Sequence, residues 1–249
     1  GQRLLAGVAA GLFAFCTLTL PVPDLSRTSL RMVQVLLDGL LHPDLELLFR
    51  FDRSGLAYLL LETAAMALVG TCVGVVLAVP LSFLGSGRFF PAPVAWFFRT
   101  VVAAIRSIPS LIYGLIFIRV CGPSSFTGVL TMAVCSVGLL CKRFSEAIDA
   151  LDLRPVHALE AMGVSRLVRI CHGVLPQLTP QIASGTLYRF DVNIREASVL
   201  GLAGAGGIGV PLIFAMNQYA WNEVSTLALG MIFLAWLVDM VSSACRKTF

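Results

Sequence analysis

Hydrophobic residues run through this chain in long stretches that no charge interrupts. Residues 4–23, 63–87, 120–141, 197–222 and 224–238 contain no Asp, Glu, Lys or Arg. A helix needs about 20 apolar residues to cross a bilayer, so several of these runs suffice. Six spans are predicted, at about 4–20, 56–84, 106–120, 126–142, 177–200 and 223–245. The third is short and holds Pro109, so an interfacial helix is expected to begin near Val94 and lead into it. The stretch 4–20 is read as a first span rather than a cleaved leader, because Pro21-Val22-Pro23 follows it and not a small-residue cleavage site. The segment 24–54 alternates acids and arginines, and its apolar set Leu36, Leu37, Leu40 and Leu41 suits a helix lying on a membrane surface. The pattern therefore predicts an all-α membrane protein of about six transmembrane helices. One part, 1–55, is a first helix with an amphipathic segment; the other, 56–249, is a transmembrane domain interrupted by a polar loop at 143–176.

Composition sharpens the class. Hydrophobic residues make up 57% of the chain and charged ones 13%, about half the share usual in a soluble domain. Nine of the 32 charges fall between Lys142 and Pro176. Basic residues such as Arg88, Arg99, Arg106, Lys142, Arg143, Arg154, Arg166, Arg169, Arg246 and Lys247 gather on one side of the predicted topology with Arg3, while acids outnumber bases in 24–54. Positively charged loops stay cytoplasmic, so both termini and the polar loop are expected inside, and 24–54 outside. The net charge of +4 reflects those inner faces. No basic surface interleaved with aromatics points to nucleic acid. The seven cysteines form no C-x-x-C pair, and His42, His157 and His172 have no ligand spacing, so no metal site is expected.

The loop reads as two short helices. Asp152 is expected to cap a helix whose first turn holds Pro155, where a missing N–H costs little. Gly163 suits the left-handed residue that ends it. Ser165 is expected to cap a second helix, with Leu167 and Ile170 on one face and Arg166 and Arg169 on the other. Pro176 and Pro180 flank the entry to the next span.

Gly163, followed thirteen residues later by Pro176 within Gly173-Val174-Leu175-Pro176, resembles the "EAA" loop of ABC transporter permeases, whose pattern is E-A-A, three residues, Gly, nine residues, then I-x-L-P. Ala158, Gly163, Leu175 and Pro176 match it; His157 stands at the Glu, Leu159 at the second Ala and Gly173 at the Ile. Val174-Leu-Pro-Gln, Thr186-Leu-Tyr-Arg, Asn193-Ile-Arg and Val199-Leu-Gly-Leu-Ala-Gly-Ala-Gly-Gly-Ile-Gly resemble the phosphonate-type permeases, and Arg106-Ser-Ile-Pro agrees, a phrase shared with methionine-type permeases. The resemblance runs from about Leu60 to the C-terminus and is most specific over 154–209. It implies a type I, methionine-permease-like fold in a bacterial plasma (inner) membrane. It makes the loop a coupling helix pair seated on a cytoplasmic ATPase, with Arg154, His157, Ala158, Glu160, Gly163, Arg166, Leu175 and Pro176 as coupling residues. The chain carries no G-x-x-x-x-G-K-[ST], so no nucleotide is expected on it and no catalytic residue either. ATP and Mg belong to the partner ATPase.

Two features remain in the fifth predicted span. On a helix Arg189, Asn193 and Glu196 share one stripe, with Tyr188, Asp191 and Arg195 on the next. At about 1.5 Å per residue from Pro176, Arg189 lies some ~20 Å along the helix, deep in the membrane. Charges at that depth face a cavity or a partner. Tyr188, Arg189, Asn193, Arg195 and Glu196 are therefore candidates for a translocation pathway, with a guanidinium attracting an oxyanion. Neutralising pairs, Asp191 with Arg195 and Arg189 with Glu196, are an equal reading. Five glycines follow in the nine residues Gly201–Gly209. The formal G-x-G-x-x-G there follows no predicted strand, so a dinucleotide site is rejected. Gly204, Gly206, Gly207 and Gly209 are instead read as a gate loop, with close helix packing as the alternative.

These readings converge on a permease subunit of an ATP-driven importer. It is expected to pair with a second permease copy, to bind two ABC ATPases, and to receive phosphonate or a related phosphorus oxyanion from an extracytoplasmic binding protein by alternating access. A methionine-type cargo, or an ion-coupled secondary transporter, is the alternative.

Overall fold

The computed structural model describes residues 2–19, 27–50, 52 and 54–246. Asp24, Arg53 and Lys247, with the side chains of Arg3, Arg27 and Leu40, lie outside the described residues. The chain forms two compact units, Gly1–Asp38 and Gly39–Phe249. In the first, α1 (Gln2–Thr19) is apolar from Leu5 onward. It is followed by the start of α2 (Arg27–Leu41), which continues into the second unit.

Among its described residues the second unit is built of helices joined by short turns, with no strand. Its elements are α3 (Leu45–Phe49), α4 (Leu56–Gly85), α5 (Ala92–Ser107), α6 (Ser110–Cys121), α7 (Ser125–Asp149), α8 (Arg154–Ala161) and α9 (Arg166–Arg169). A π-helical turn (Ile170–Val174) then leads directly into α10 (Leu175–Leu202), followed by α11 (Gly209–Asn217) and α12 (Trp221–Arg246). The most extensive pairing is α4 against α7, with α10 packed on both. Small residues make that approach possible: a Cβ on Gly70 would sit 2.7 Å from that of Met132, and one on Gly74 would overlap Ser136. Gly70-x-x-x-Gly74 thus packs two helices of one chain. Met66, Met132, Ile194, Leu200, Ala205 and Leu234 form the buried centre of this bundle.

Three described helices, α4, α7 and α12, are long and apolar enough to cross a membrane, or four if α5 and α6 form one broken span. The expected third span at 106–120 is not one continuous helix: α5 and α6 meet at 85°. Ile108 is extended, at φ −93° and ψ 124°, because the ring of Pro109 disfavours helical backbone before it. Helix α5 does begin beside Val94, as the interfacial reading expected. The span expected at 177–200 is a single 28-residue helix, but Arg189, Asp191, Arg195 and Glu196 lie within it. Helix α7 also runs beyond the expected 142, so Lys142, Arg143 and Glu146 belong to its last turns rather than to a loop.

Segment 39–50 packs on this unit. The Asp44 N–H donates to Thr226 Oγ1 at 2.7 Å, and Leu47 lies against the cluster of Leu56, Leu59, Ile208, Ala215 and Leu227.

Candidate functional site

The polar loop is built from its base upward. Ile148, Leu151, Val174 and Leu178 are buried together where α7 ends and α10 begins. Gln177 ties the two ends: its side-chain amide Nε2 donates to Asp152 O at 3.0 Å and Gly173 O at 2.7 Å, while Oε1 accepts from the Asp152 N–H at 3.2 Å. Arg99 braces the same base from α5, donating to Gly85 O at 2.7 Å and to Asp149 Oδ2 at 2.8 Å. Arg88 adds a bond to Leu151 O at 2.8 Å. The loop therefore springs from a fixed platform.

Above it stand the two expected helices. Leu153 holds the capping position of α8, one residue after Asp152, yet the Asp152 carboxylate still accepts the Arg154 N–H at 2.9 Å. Arg154 pairs back onto Asp152, which holds that carboxyl below its ordinary value. Pro155 is in the first turn. Gly163 closes α8 at φ +72°, the left-handed region open to glycine. Ser165 precedes α9 in extended backbone, but its side chain makes no capping bond. Pro176 stands in the first turn of α10, and Pro180 lies inside that helix rather than before it.

Glu160 joins the two short helices by an ion pair with Arg169, and His157 Nδ1 lies 3.6 Å from its other oxygen. At the Glu of the permease pattern, His157 thus supplies a partner for Glu160. Gly173, at the pattern's Ile, is explained by close approach: a Cβ there would lie 3.0 Å from Val156 Cγ2. Outward, Met162, Leu167 and Val168 are exposed, as are His157, Ala158, Glu160 and Arg166 beside them.

The hydrogen bond from Arg169, and then its charge, hold the Glu160 carboxyl below its ordinary value. A carboxylate lowered on folding stabilises the fold above its unfolded value and loses that contribution as pH falls through the folded one. The α8–α9 pairing is therefore expected to persist at neutral pH and to open only in acid, below the ordinary carboxylate range. NMR titration of the loop amides should show that step in the parent chain and lose it in Glu160→Gln.

The second constellation lies along α10. Arg189 is 1% exposed. Its Nε donates to Ser136 Oγ of α7 at 3.0 Å, and its Nη2 to Glu196 Oε2 at 3.0 Å. Asn193 Nδ2 donates to the same Ser136 Oγ at 3.0 Å and to Thr71 Oγ1 of α4 at 2.8 Å. Thr71 in turn donates to Ala67 O. Three helices are thereby joined through one polar node, as a buried polar group requires. Arg189, Asn193 and Glu196 meet, as their shared stripe implied, within one chain. Arg195 is apart from them: it is exposed and pairs with buried Asp191. Tyr188 is exposed under the Arg143 guanidinium, 5.2 Å from its ring centre. Sequence reasoning did not find Thr71 or Ser136, and met Gln177 only as the last residue of Val174-Leu-Pro-Gln, without its bracing role. The available signal was a hydroxyl residue within an otherwise apolar helix.

The glycine segment follows directly. Gly204, Gly206 and Gly207 all take positive φ, and Ala205 and Ile208 are fully buried. The Ile208 N–H donates to Thr63 Oγ1 of α4 at 3.0 Å, and Gly201 and Gly209 approach each other backbone to backbone. This segment wedges between the starts of α4 and α7, so irregular backbone is buried against protein. Among the described residues no cluster of His, Cys, Asp or Glu could hold a metal.

Comparison with known proteins agrees with this architecture. Residues 70–248 match the family model described as binding-protein-dependent transport system inner membrane component. The phosphite transport system permease protein of Stutzerimonas stutzeri is 37% identical over 76% of this chain and 70% of its own length. A phosphate-import permease protein of Mycolicibacterium smegmatis is 33% identical over 79% of this chain and 37% of its own length. In fold, the chain is similar to a subunit of the MetNI methionine ABC transporter in an inward facing conformation, with TM-score 0.67, 20% identity, and coverage of 78% of this chain and 95% of that one. A loop pair raised on a braced platform, in a bundle of apolar helices matched over this length, means that the chain belongs to the family of inner membrane components of binding-protein-dependent transport systems.

Proposed function

We propose that this chain is the permease subunit of an ATP-driven importer for phosphorus oxyanions: phosphonate, phosphite or phosphate. The carrying observation is the 37% identity to a phosphite permease over most of both chains. It is supported by a loop that keeps the α8–Gly163–α9 geometry needed for docking on another protein. Two permease copies would form the pathway, and two cytoplasmic ATPases carrying ATP and Mg would seat α8 and α9. An extracytoplasmic binding protein would deliver cargo. Both termini and the loop would lie in the cytoplasm, consistent with the bias of basic residues. Methionine is the weaker reading, since the likeness to the methionine transporter is one of fold at 20% identity.

Vesicles containing the permease, its ATPase and its binding protein test this directly. Labelled phosphite or phosphate should accumulate only with ATP inside the ATPase compartment, and methionine should not compete. Accumulation driven by an ion gradient without ATP would replace this reading with a secondary transporter. In the same assay Gly163→Pro should abolish uptake and stimulated ATP hydrolysis together, because a ring fixed near φ −65° cannot adopt the +72° found there. Unchanged coupling in that variant would remove α8 and α9 from the docking role.

A further inference from the structure

We propose that α9, the π-helical turn and α10 form one lever, and that Gln177 is the positioning residue that locks α8 and the end of α7 to it. This rests on the coupling reading above and names the part that carries ATPase-driven motion into the membrane.

The backbone sets the lever. No coil separates the loop from the span: Arg166–Arg169, Ile170–Val174 and Leu175–Leu202 follow one another without a break. Pro176 accounts for the π turn between them. It has no N–H for His172 O, four residues back, and in a regular α-helix its ring would press on that carbonyl. The turn is wider instead, and the Leu175 N–H donates to Ile170 O, five residues back. Single π turns inside α-helices frequently mark functional sites. A push on α9 therefore reaches α10 through continuous hydrogen-bonded backbone. At its other end α10 leads into the glycine segment, whose Ile208 N–H is held by Thr63 of α4.

Gln177 determines what else moves with this lever. Its carboxamide pairs with both backbone polar groups of Asp152, at 3.2 Å and 3.0 Å, and Nε2 also donates to Gly173 O at 2.7 Å. One side chain thus joins the entry of the loop to its exit. Helix α8 is seated at the same place: a Cβ on Gly173 would lie 3.0 Å from Val156 Cγ2 and 3.3 Å from Leu159 Cδ1. Val156 also packs on the buried group of Ile148, Leu151, Val174 and Leu178. This bond pattern calls for an amide, which accepts at oxygen and donates at nitrogen. A glutamate of the same shape only accepts, and would set its charge against two carbonyl oxygens.

Complete complexes in vesicles test this with Gln177→Glu and Gln177→Ala. Both should retain the ATPase on co-purification and hydrolyse ATP at the parent's basal rate. Both should lose uptake of labelled phosphite, and stimulation of hydrolysis by the binding protein, by roughly 5–30-fold, the population shift that two lost hydrogen bonds produce. Uptake and stimulation fall together because coupling between two sites is reciprocal, whereas a loosened fold would shed the ATPase. Parent-like uptake by Gln177→Glu overturns the proposal and leaves the importer reading intact. If the variants shed the ATPase, hydrogen exchange on the parent complex decides. Peptides covering Asp152 and the π turn should exchange equally slowly without nucleotide and with ATP trapped; rapid exchange in either state means that the lever comes apart, and overturns the proposal. Failure of the parent complex to import any phosphorus oxyanion removes the importer reading instead, and the exchange measurement still tests the lever.

Discussion

Arg189→Ala is expected to destabilise the folded chain by roughly 3 kcal/mol, the lower end of the cost of breaking a buried ion pair. The guanidinium is 1% exposed and Glu196 is 29% exposed, so partial hydration of Glu196 moderates the loss. Removing Arg189 would leave the Glu196 carboxylate without its bond, free one acceptor of Ser136, and open a cavity in the bundle. A double change, Arg189→Met with Glu196→Gln, keeps the volume and removes both charges. It should recover most of the stability, because well-packed apolar replacements of buried pairs are often nearly neutral. Unfolding midpoints of the purified protein in detergent would show this order. Equal midpoints for parent and Arg189→Ala would mean that the polar node does not hold α4, α7 and α10 together. Normal uptake by the double variant would assign Arg189 to structure rather than to anion attraction.

Gly206→Ala is the second large effect, expected to cost about 2–4 kcal/mol. Part of this is conformational: Gly206 has φ +82°, and a left-handed L-residue costs about 1–2 kcal/mol. The rest is steric. A Cβ there would lie 2.6 Å from Ser125 Cα, a backbone atom at the start of α7 that cannot swing aside, and overpacking typically costs ~1–3 kcal/mol. Gly204 is the control. It has φ +91°, but the nearest atom to its Cβ is 3.6 Å away, on Pro123. Gly204→Ala should therefore show only the conformational part. The two variants differ in packing far more than in backbone strain, so unfolding midpoints that coincide would show that the wedge between α4 and α7 is slack. A segment this tightly held would move with those two helices if it serves as a gate.

Much of this was legible in the chain because its signals are local. The uncharged runs located α4, α7 and α12, since crossing lipid demands a continuous apolar stretch. The loop was legible for a similar reason: Pro155, Gly163 and Ser165 act on their own backbone, and each stands at a helix boundary. The bend at Pro109 was only half visible. A proline before Ser110 announces an interruption, but the 85° angle depends on what α5 and α6 pack against. The extension of α7 through Lys142 and Glu146 was missed because those charges looked like the onset of a loop. Their i,i+4 pairing and exposed position let the helix continue.

The sequence by itself determined the helical class, the positions of the main apolar helices, the two-helix loop and the family, because periodicity, capping chemistry and motif spacing are written along the backbone. It also placed Arg189, Asn193 and Glu196 on one stripe. Tertiary structure alone decided what that stripe meets. Ser136 and Thr71 come from helices 53 and 122 residues away, and they turn the stripe into a buried node. The same packing leaves Arg106 exposed beside Gly138. Which charge is shielded and which stays open depends on how closely helices approach across the chain, and one-dimensional spacing carries no record of that distance.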